Sequence, residues 1–356
     1  MKVVLTGGGT GGHVYPAVSV GEALRDIDPA IELLFVGSSH GPEGAIARAA
    51  GIEFEAVPSS SLTKSLSIKN IASTGRLIAG VFRARRILSK FKPDVVVGTG
   101  GYTTAAVLVA AKSLGIRIVI HEQNTVPGRT NLWLSRIADK VCVSFDLSAA
   151  YFPEGKVVLT GLPTRKEFQS LRGKAEARRE LGLREDAFTI LVVGGSQGAK
   201  RLNELVMDMW SMVNDGNTQV LHQVGKRNMD DCRSAESDLY HVMAYLDMPC
   251  AIAAADLVIC RSGASTIAEL TLAGLPSILV PYPHAVTGEQ KRNAEYLVNR
   301  DAGIMCEEAS ATNGMLGNLV IDLRSDPDRL RAMADASASL ARIDAARRVA
   351  EECVRR

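Results

Sequence analysis

Short apolar segments alternate with longer, helix-like stretches along most of the chain. The apolar segments are rich in Val, Ile and Leu, and they occupy residues 3–5, 31–36, 94–98, 116–120, 190–193, 256–260 and 277–280. Strands separated by helix-length segments are typical of βαβ units, in which helices connect parallel strands. The pattern therefore predicts an α/β fold with parallel sheets.

Two parts of this pattern resemble each other. Residues 95–101 lead from a strand through small residues and a helical stretch to the apolar segment 115–120, and residues 257–263 lead in the same way to 274–280. A glycine loop also ends an earlier strand in each half of the chain. The sequence thus predicts two similar, doubly wound domains of the Rossmann-like kind.

Chain length and turn residues indicate where these domains meet. A chain of 356 residues is more than one hydrophobic core usually serves, since single cores stop growing at roughly 250 to 300 residues. The turn residues 161–164 follow a short strand-like segment. We expect a first domain over residues 1–163, a second over 164–340, and a terminal helix over 341–356 that could return to the first domain.

Composition and charge exclude several classes of protein. The 41 basic and 39 acidic residues give no general support for nucleic-acid binding. Six cysteines lie far apart with no C-x-x-C pair, which argues against a metal cage or disulfide framework and fits a reducing cytoplasm. The N-terminus runs directly into a glycine loop and leaves no room for a signal peptide, and no segment has the ~18 consecutive apolar residues of a spanning helix. We expect any membrane contact to be peripheral.

The first glycine loop, residues 7–12, satisfies the G-x-G-x-x-G pattern of dinucleotide-binding proteins. That fingerprint also needs an acidic residue at the end of the second strand to hold the ribose, whereas Glu32 stands at the beginning of that strand. A nicotinamide cofactor is therefore not expected. His13 follows the loop at a helix N-terminus, where its cationic form is disfavoured; it is either a neutral general base or a residue that only caps the turn.

The second half of the chain offers two more loops, at residues 194–199 and 261–266. Neither is a phosphate-binding P-loop, because Lys200 is followed by Arg201 and not by Ser or Thr. Small residues at a helix N-terminus still allow a diphosphate to approach the backbone. Glu269, one turn inside the helix, would then lie where it could accept both hydroxyls of a ribose; the alternative is an ordinary exposed glutamate.

Six ordered signatures resemble the MurG family of glycosyltransferases over most of the chain. They are residues 8–16, 100–102, 121–124 with Gly128 and Asn131, 194–199, 260–264, and 289–290 with Asn293 and Ala294. The resemblance implies the GT-B architecture, in which two Rossmann-like domains face each other across a cleft. The second domain binds the UDP-sugar donor, the first approaches a lipid acceptor, and catalysis takes place in the cleft.

The implied reaction is an inverting transfer of N-acetylglucosamine. The donor would be UDP-N-acetylglucosamine, and the acceptor would be the 4-hydroxyl of the muramyl sugar of undecaprenyl-pyrophosphoryl-MurNAc-pentapeptide. The enzyme would be a hexosyltransferase of peptidoglycan synthesis, a process that serves cell shape and cell division. It would lie at the cytoplasmic face of the inner membrane, with cell-wall or division proteins as further partners.

The resemblance also implies roles for single residues. Ser196 and the 262–266 turn would contact the diphosphate, Glu269 the ribose, and Gln290 the transferred sugar. The implied substrate-binding residues are Thr10, Gly11, Gly12, Asn124, Arg165, Ser196, Leu246, Gly263, Ala264, Ser265, Thr266, Glu269 and Gln290. Two departures from the family pattern affect this set: Leu162 replaces the usual Asn before the linker proline, and the segment around Leu246, which would contact uracil, is one residue shorter.

The base that removes the acceptor proton is expected to be His13, with Glu122 and Tyr102 as the other candidates. No cofactor is expected, because the family is taken to work without an essential metal. The sequence also carries no D-x-D motif that would hold a divalent ion against the diphosphate. Helix N-termini and neutral polar groups would instead stabilise the departing UDP.

A local basic block precedes the third apolar segment, residues 94–98. Residues 64–92 carry eight Lys and Arg residues and no acidic residue. Apolar side chains at near-helical spacing could form a ridge flanked by cations, which suits the headgroup region of an anionic membrane. The expected membrane contacts are Ile71, Ile78, Val81, Phe82, Arg83 and Arg86. The other interpretation, an apolar stripe that belongs to the core, becomes less attractive for an enzyme with a polyprenyl acceptor.

Two rival functions remain from different classes. A UDP-N-acetylglucosamine 2-epimerase has the same two-domain architecture but needs no lipid surface, so the basic block argues against it. A nonenzymatic membrane recruitment partner would have no physical need to keep Thr10, His13, Asn124, Ser196, Glu269 and Gln290 together. An epimerase would act without an acceptor, whereas a recruitment partner would bind without turnover.

Overall fold

A computed structural model describes most of the chain, and for residues 68–74 it describes the backbone alone. The described residues are 1–59, 68–195, 198–285, 287–311 and 314–355. The chain divides into two compact units, the first formed by Met1–Arg165 with Arg342–Arg356 and the second by Lys166–Ala341. The division follows Arg165, whereas the turn residues placed the expected boundary after Pro163.

The first unit contains a parallel sheet of seven strands in the part that the structure describes. Its strands are β1 (Lys2–Thr6), β2 (Glu32–Ser38), β3 (Glu53–Val57), β4 (Val95–Gly98), β5 (Arg117–Glu122), β6 (Lys140–Val143) and β7 (Val157–Leu159). The spatial order is β3-β2-β1-β4-β5-β6-β7. The central strands are buried on both faces, which explains their continuous runs of Val, Ile and Leu.

Helices cover both faces of this sheet. They are α1 (Gly11–Ile27), α2 (Glu43–Ala49), α3 (Ile68–Phe91), α4 (Tyr102–Ser113) and α5 (Arg129–Leu134), and a 3₁₀ helix spans Asp146–Tyr151. α1 packs on one face, where Val14, Val18 and Leu24 join the core, and α4 packs on the other. Each helix therefore buries one apolar stripe against the sheet.

The second unit repeats this plan with a parallel sheet of six strands in its described residues. Its strands are β8 (Phe188–Val193), β9 (Thr218–Gln223), β10 (Tyr240–Met243), β11 (Leu257–Cys260), β12 (Ser277–Leu279) and β13 (Ile304–Met305), in the order β10-β9-β8-β11-β12-β13. Its helices are α6 (Lys174–Glu180), α7 (Lys200–Val213), α8 (Met229–Cys232), α9 (Met248–Ala254), α10 (Ala264–Ala273), α11 (Glu289–Val298), α12 (Met315–Arg324) and α13 (Pro327–Ser339). Short 3₁₀ helices span Lys166–Gln169, Lys226–Asn228 and Arg233–Ala235.

The terminal helix α14 (Ala345–Val354) belongs to the first unit although it follows the second in sequence. Val349 and Cys353 are buried in the core cluster that also contains Val14 and Val18 of α1. Gly161 lies against this returning segment, because a β-carbon placed on it would be 2.6 Å from Cβ of Arg342. The last residues thus complete the core of the first unit.

The strand order determines where a site can form in each unit. Strand order reverses between β1 and β4 in the first sheet and between β8 and β11 in the second. Helices that follow neighbouring strands at such a point leave on opposite faces and open a crevice at the carboxyl ends of the strands. The glycine loop after β1, the turn before α4 and the turn before α10 all lie at these ends.

Candidate functional site

Two glycine segments pack against each other at the carboxyl edge of the first sheet. The Gly8 amide donates to the Gly100 carbonyl at 3.1 Å, and a β-carbon placed on Gly101 would lie 2.3 Å from the Gly8 carbonyl oxygen. Gly100 and Gly101 have φ values of 106° and 90°, a region that side chains disfavour. Only glycine fits both the conformation and the close approach, so these residues fix the position of the loop before α1.

His13, in the first turn of α1, is oriented by the end of β4. Its Nδ1 lies 2.9 Å from the Thr99 carbonyl oxygen. Because a carbonyl can only accept, Nδ1 carries the hydrogen and Nε2 keeps its lone pair in the neutral ring. Burial lowers the pKa of His13, and its hydrogen bond to Thr99 opposes this effect only in part. The residue is therefore a neutral imidazole at pH 7 with Nε2 able to accept a proton.

Buried polar side chains at the end of β5 and directly after it hold Thr99 in turn. Gln123 Nε2 donates to the same Thr99 carbonyl at 2.7 Å. His121 donates from Nε2 to the Gly161 carbonyl at 2.9 Å, and burial lowers its pKa to about 4. Its Nδ1 is 3.2 Å from Gln123 Nε2 and accepts from it. The His13 imidazole is thus oriented by a second layer of neutral, hydrogen-bonded groups.

Glu122 is buried, and its carboxyl group binds the loop that follows β5. Oε1 accepts from the Asn124 amide at 2.9 Å, while Oε2 accepts from the Gly128 amide at 3.1 Å and from Asn131 Nδ2 at 2.9 Å. Burial raises its pKa, and these hydrogen bonds act in the opposite direction. Both oxygens are therefore used inside the protein, an arrangement that suits a loop-positioning role better than proton abstraction from a substrate.

Further expected site residues of the first unit are Tyr102, Thr10, Asn124 and Arg165. Tyr102 is the first residue of α4 and is 50% exposed. Thr10 is the exposed N-cap residue of α1, and its side chain makes no capping hydrogen bond. Asn124 Nδ2 donates to Glu122 at 3.3 Å. The Arg165 guanidinium lies over the ring of Tyr15, 5.2 Å from its centroid. The structure thus places this side chain, which is expected to reach the nucleotide, against Tyr15 of α1.

In the second unit, α10 begins at an open turn. Gly263 is its N-cap residue, no acidic residue stands in its first turn, and Ser265 and Thr266 are half-buried there. The first amides of a helix have no partner within the helix, and the helix dipole favours an anion at this end. Glu269 follows one turn later and is also half-buried. This geometry suits a diphosphate at the helix start with a hydroxyl-bearing group next to it.

The start of α11 is tied to the same turn. Ser262 Oγ donates to the Gln290 carbonyl at 2.8 Å, and Asn293 Nδ2 donates to the Ser262 carbonyl at 3.2 Å. Gln290 uses its side-chain oxygen to accept from the Tyr282 amide at 2.9 Å. The structure therefore brings together Gln290 and the turn 263–266.

Arg261, the first residue of this turn, ties it to the residues directly after β12. Its guanidinium donates to the carbonyls of Val280 and Pro281, at 3.0 and 3.2 Å, and forms an ion pair with Glu308. The Arg261 and Glu308 side chains are only 10% and 14% exposed. A buried ion pair of this kind holds the turn in one conformation, because separating the two side chains would leave each charge buried without its partner.

Leu246 is a half-buried residue of the loop between β10 and α9. Its amide donates to Oε1 of the buried Gln223 at 2.9 Å. This hydrogen bond fixes the loop to the end of β9. Because the Leu246 amide is already bonded, a contact with uracil would come from other groups of this segment. Ser196, expected at the diphosphate, lies outside the described residues, as does the Ile71 side chain expected at the membrane.

The remaining membrane residues lie on α3. Ile78 and Phe82 are 53% and 69% exposed, one helical turn apart, whereas Val81 packs against the core. Arg86 is exposed next to them, and Arg83 pairs with Glu55 at 3.1 Å. The exposed and buried apolar residues therefore belong to two different faces of the helix.

Neither a metal cluster nor a membrane-spanning helix is found among the described residues. Two D-x-D spacings do occur, at residues 26–28 and 326–328, away from the loops described above. Asp326 accepts from the Arg329 amide as the N-cap of α13, and Asp28 accepts from the Ala30 amide. These aspartates therefore stabilise local turns.

Comparison with known proteins places this geometry in a family. The glycosyltransferase family 28 N-terminal domain matches residues 3–143, and the family 28 C-terminal domain matches residues 189–349. A Geobacter sulfurreducens protein, named UDP-N-acetylglucosamine–N-acetylmuramyl-(pentapeptide) pyrophosphoryl-undecaprenol N-acetylglucosamine transferase, is 39% identical over 99% of this chain and 98% of its own length. A protein of the same name from Desulforudis audaxviator is 40% identical over 96% and 94%.

A solved structure agrees with these relatives. The crystal structure of MurG from Acinetobacter baumannii covers 99% of this chain and 98% of its own, with a TM-score of 0.79 and 30% identity. The chain belongs to the MurG family of glycosyltransferases. The GT-B fold and the glycosyltransferase class expected from the six signatures are thereby confirmed. A UDP-GlcNAc 2-epimerase from Neisseria meningitidis, solved with UDP-GlcNAc, has a TM-score of 0.70 but only 14% identity, so it shares the fold alone.

Several supporting residues of this MurG-family site received no role from the sequence. Thr99, His121 and Gln123 orient His13, while Gln223, Arg261 and Asn293 fix the loops of the second unit. Most of them lie at or just after the carboxyl ends of β4, β5, β9 and β11. A polar residue directly after a buried parallel strand is the signal that could have revealed them.

Proposed function

We propose that this chain transfers N-acetylglucosamine from UDP-N-acetylglucosamine to the 4-hydroxyl of a lipid-linked muramyl pentapeptide, with inversion at the anomeric carbon. The observation that carries the proposal is the identity of 39% with a transferase of that name over almost the whole chain. The geometry supports it, because each unit presents a helix start and polar side chains at the carboxyl ends of its strands. The product would be the disaccharide lipid used in peptidoglycan synthesis.

The first unit supplies the base in this proposal. The acceptor 4-hydroxyl donates its hydrogen to Nε2 of His13, and the oxygen attacks the anomeric carbon as the bond to UDP breaks. Thr99 accepts from Nδ1 throughout and stabilises the imidazolium that forms. Thr10, Gly11 and Gly12 present the start of α1 to the acceptor. Tyr102 and Asn124 line the same edge of the sheet, and Glu122 holds the loop that carries Asn124.

The second unit binds the donor. The amides and hydroxyls at the start of α10 donate hydrogen bonds to the departing diphosphate and stabilise the negative charge that develops on it. Glu269 accepts hydrogen bonds from the ribose hydroxyls, and Gln290 contacts the transferred sugar. The loop around Leu246 contacts the uracil, and Arg165 adds a cation to the nucleotide. Ser196 would take part in the diphosphate contact.

α3 provides the membrane contact in this proposal. Ile78 and Phe82 are apolar side chains that the core does not use, and Arg86 is exposed next to them. Such a helix binds an anionic bilayer favourably, because its apolar side chains leave water for the headgroup region and its cations lie near anionic lipids. A peripheral position at the cytoplasmic face would bring the first unit to the head group of its lipid acceptor. Cell-wall and division proteins at that membrane would be its further partners.

A binding and turnover experiment tests the donor half of the proposal. Calorimetry with UDP-N-acetylglucosamine should show saturable binding. When the protein is incubated with the donor and no acceptor, nuclear magnetic resonance should detect no 2-epimer of the donor. Conversion to the epimer without acceptor would identify an epimerase instead. Donor binding without transfer to any lipid-linked muramyl acceptor would favour the recruitment partner.

A further inference from the structure

A carboxyl group lies beneath the glycine loop of the first unit. Glu43, the first residue of α2, is 0% exposed. Its Oε1 accepts from the Gly9 amide at 3.0 Å and from the Ser38 hydroxyl at 3.2 Å. Among the described residues Oε2 has no hydrogen-bond partner. Burying such a group is costly, so its presence calls for a physical reason.

The chain leaves space for this side chain at three glycines. A β-carbon placed on Gly8 would lie 2.5 Å from Oε1 of Glu43, and one on Gly41 would lie 1.8 Å from Oε2. A β-carbon on Gly37 would come within 3.0 Å of Cβ of Glu43. The strand end, the following turn and the glycine loop therefore all leave room for the Glu43 side chain, and the turn and the loop leave room for its carboxyl group.

The contacts continue from Glu43 to the proposed base. Gly8 donates to Gly100 at 3.1 Å, so the loop that Glu43 holds is also fixed to the segment before Tyr102. On the other side of that segment, a β-carbon placed on Gly100 would lie 3.0 Å from Nδ1 of His13. A shift of the Gly8–Gly9 peptide would therefore move the surroundings of His13 and of Tyr102 together.

We propose that Glu43 is a positioning residue for the acceptor half of the reaction. Its carboxyl group holds Gly9 so that the start of α1, His13 and the segment before Tyr102 keep one arrangement. Glu43 itself touches no substrate. This role rests on the proposed transferase function and deepens it, because it predicts an effect on the acceptor step and none on donor binding in the second unit.

Glu43→Ala and Glu43→Gln test this role. Glu43→Ala should lower kcat/KM for a lipid-linked muramyl acceptor at least tenfold, while the calorimetric Kd for UDP-N-acetylglucosamine changes less than twofold. Glu43→Gln keeps an oxygen that can accept from Gly9 and Ser38, so it should retain activity within threefold of wild type. If Glu43→Ala does not fold, Gly8→Ala carries the same prediction, because its β-carbon displaces the carboxyl group.

Glu352→Ala is the matched control. Glu352 is also a buried carboxyl group of the first unit, 4% exposed, but it lies on α14 and pairs with Arg355. An equal loss of acceptor turnover in Glu352→Ala, or full activity in folded Glu43→Ala, overturns the role of Glu43. A wild-type protein that binds donor but transfers nothing overturns the proposed function and this role together.

Discussion

Among single residues, His13 shows most directly how the fold prepares chemistry. An imidazole at the start of a helix and largely removed from water favours its neutral form. The hydrogen bond from Nδ1 to Thr99 then decides which nitrogen can take a proton. Both effects come from backbone and burial, and the proposed role of Glu43 adds to them only through the loop that it holds.

Replacement of His13 should therefore remove turnover while leaving donor binding intact. We expect His13→Gln to lower kcat at least about 100-fold, the order of magnitude for loss of a general base. His40→Gln, at an exposed histidine of the same unit, is the control and should keep wild-type turnover. Steady-state kinetics checks both variants, and an active His13→Gln would rule out His13 as the base.

The pH profile gives a second test of His13. Because burial lowers the pKa of His13 below the ordinary 6.5, its imidazole is mostly neutral at pH 6.5 and becomes protonated only as the pH falls through the lowered value. The acid limb of kcat/KM for the acceptor should then have its midpoint below pH 6.5. A midpoint above 6.5 would show that another group, or a histidine stabilised in its charged form, controls the reaction.

Glu269 should act on the donor and not on the acceptor. Glu269→Ala removes the carboxyl group proposed to accept from two ribose hydroxyls. The expected loss is about 1.5 to 3 kcal/mol, so the donor KM should rise roughly 10- to 100-fold. Glu204→Ala, at a glutamate of α7 that pairs with Arg201 at the surface, is the control in the same unit. An unchanged donor KM in Glu269→Ala would mean that the ribose is held elsewhere.

The turns that form the candidate site could be located in the sequence, whereas the contacts that hold them could not. The turns at 7–13 and 261–269 could be identified because glycine and small residues after a strand have few other uses. The roles of Thr99 and Gln123 could not, because they depend on which carbonyl lies beside His13. For the same reason the sequence ranked Glu122 as a base, whereas its contacts with Asn124 and Gly128 suit a loop-holding residue.

Among the elements, α3 separates its apolar residues between two faces. Val81, Ala84, Ile87 and Leu88 pack on the core of the first unit, whereas Ile78 and Phe82 point to solvent. The sequence predicted one ridge that included Val81. Helical spacing alone could not assign Val81 to the core, since it depends on the rotation of the helix on the sheet.

The solvent face of α3 gives a prediction for membrane binding. The double replacement of Ile78 and Phe82 by Ser should weaken binding to vesicles that contain anionic lipid by at least tenfold, because two apolar side chains no longer enter the bilayer. Ile343→Ser, at an apolar residue of the same unit that is 57% exposed, is the control. Co-sedimentation measures binding, and equal binding by all three proteins would contradict the role of α3.

Several strands lie outside the predicted apolar segments, and for three of them the structure shows a reason. β3 and β10 lie at sheet edges, and β9 carries the polar residues Gln219, His222 and Gln223 although it is buried. Those side chains are satisfied internally, as when His222 Nδ1 accepts from the Tyr240 hydroxyl at 2.7 Å. A buried strand with paired polar groups has no continuous apolar run and is therefore not visible in hydropathy.

For the whole molecule, the path of the chain links the two units twice. The chain leaves the first unit after Arg165, builds the second, and returns with α14 to the first core. The α/β class and the repeated plan followed from the sequence, because short apolar segments alternate with helix-length stretches and this pattern recurs in both halves. The unit on which α14 packs did not follow from the sequence, because an apolar stripe on a helix can pack against the core of either unit.

The return of α14 predicts which unit depends on it. Val349→Ala should destabilise the first unit by about 2 kcal/mol through lost burial, and Val320→Ala should do the same to the second. The chain has two tryptophans, Trp133 in the first unit and Trp210 in the second, so single-tryptophan variants report each unfolding transition separately. A shift of the Trp210 transition alone in Val349→Ala would contradict the assignment.

The central claim is tested most directly by transfer itself. Purified protein is incubated with labelled UDP-N-acetylglucosamine and a lipid-linked muramyl pentapeptide in detergent, with a chelator present, beside the His13→Gln variant. We predict a labelled disaccharide lipid with wild type and at least a 100-fold slower reaction with the variant. Absence of the disaccharide with wild type, while the donor still binds in calorimetry, would contradict the proposed transfer.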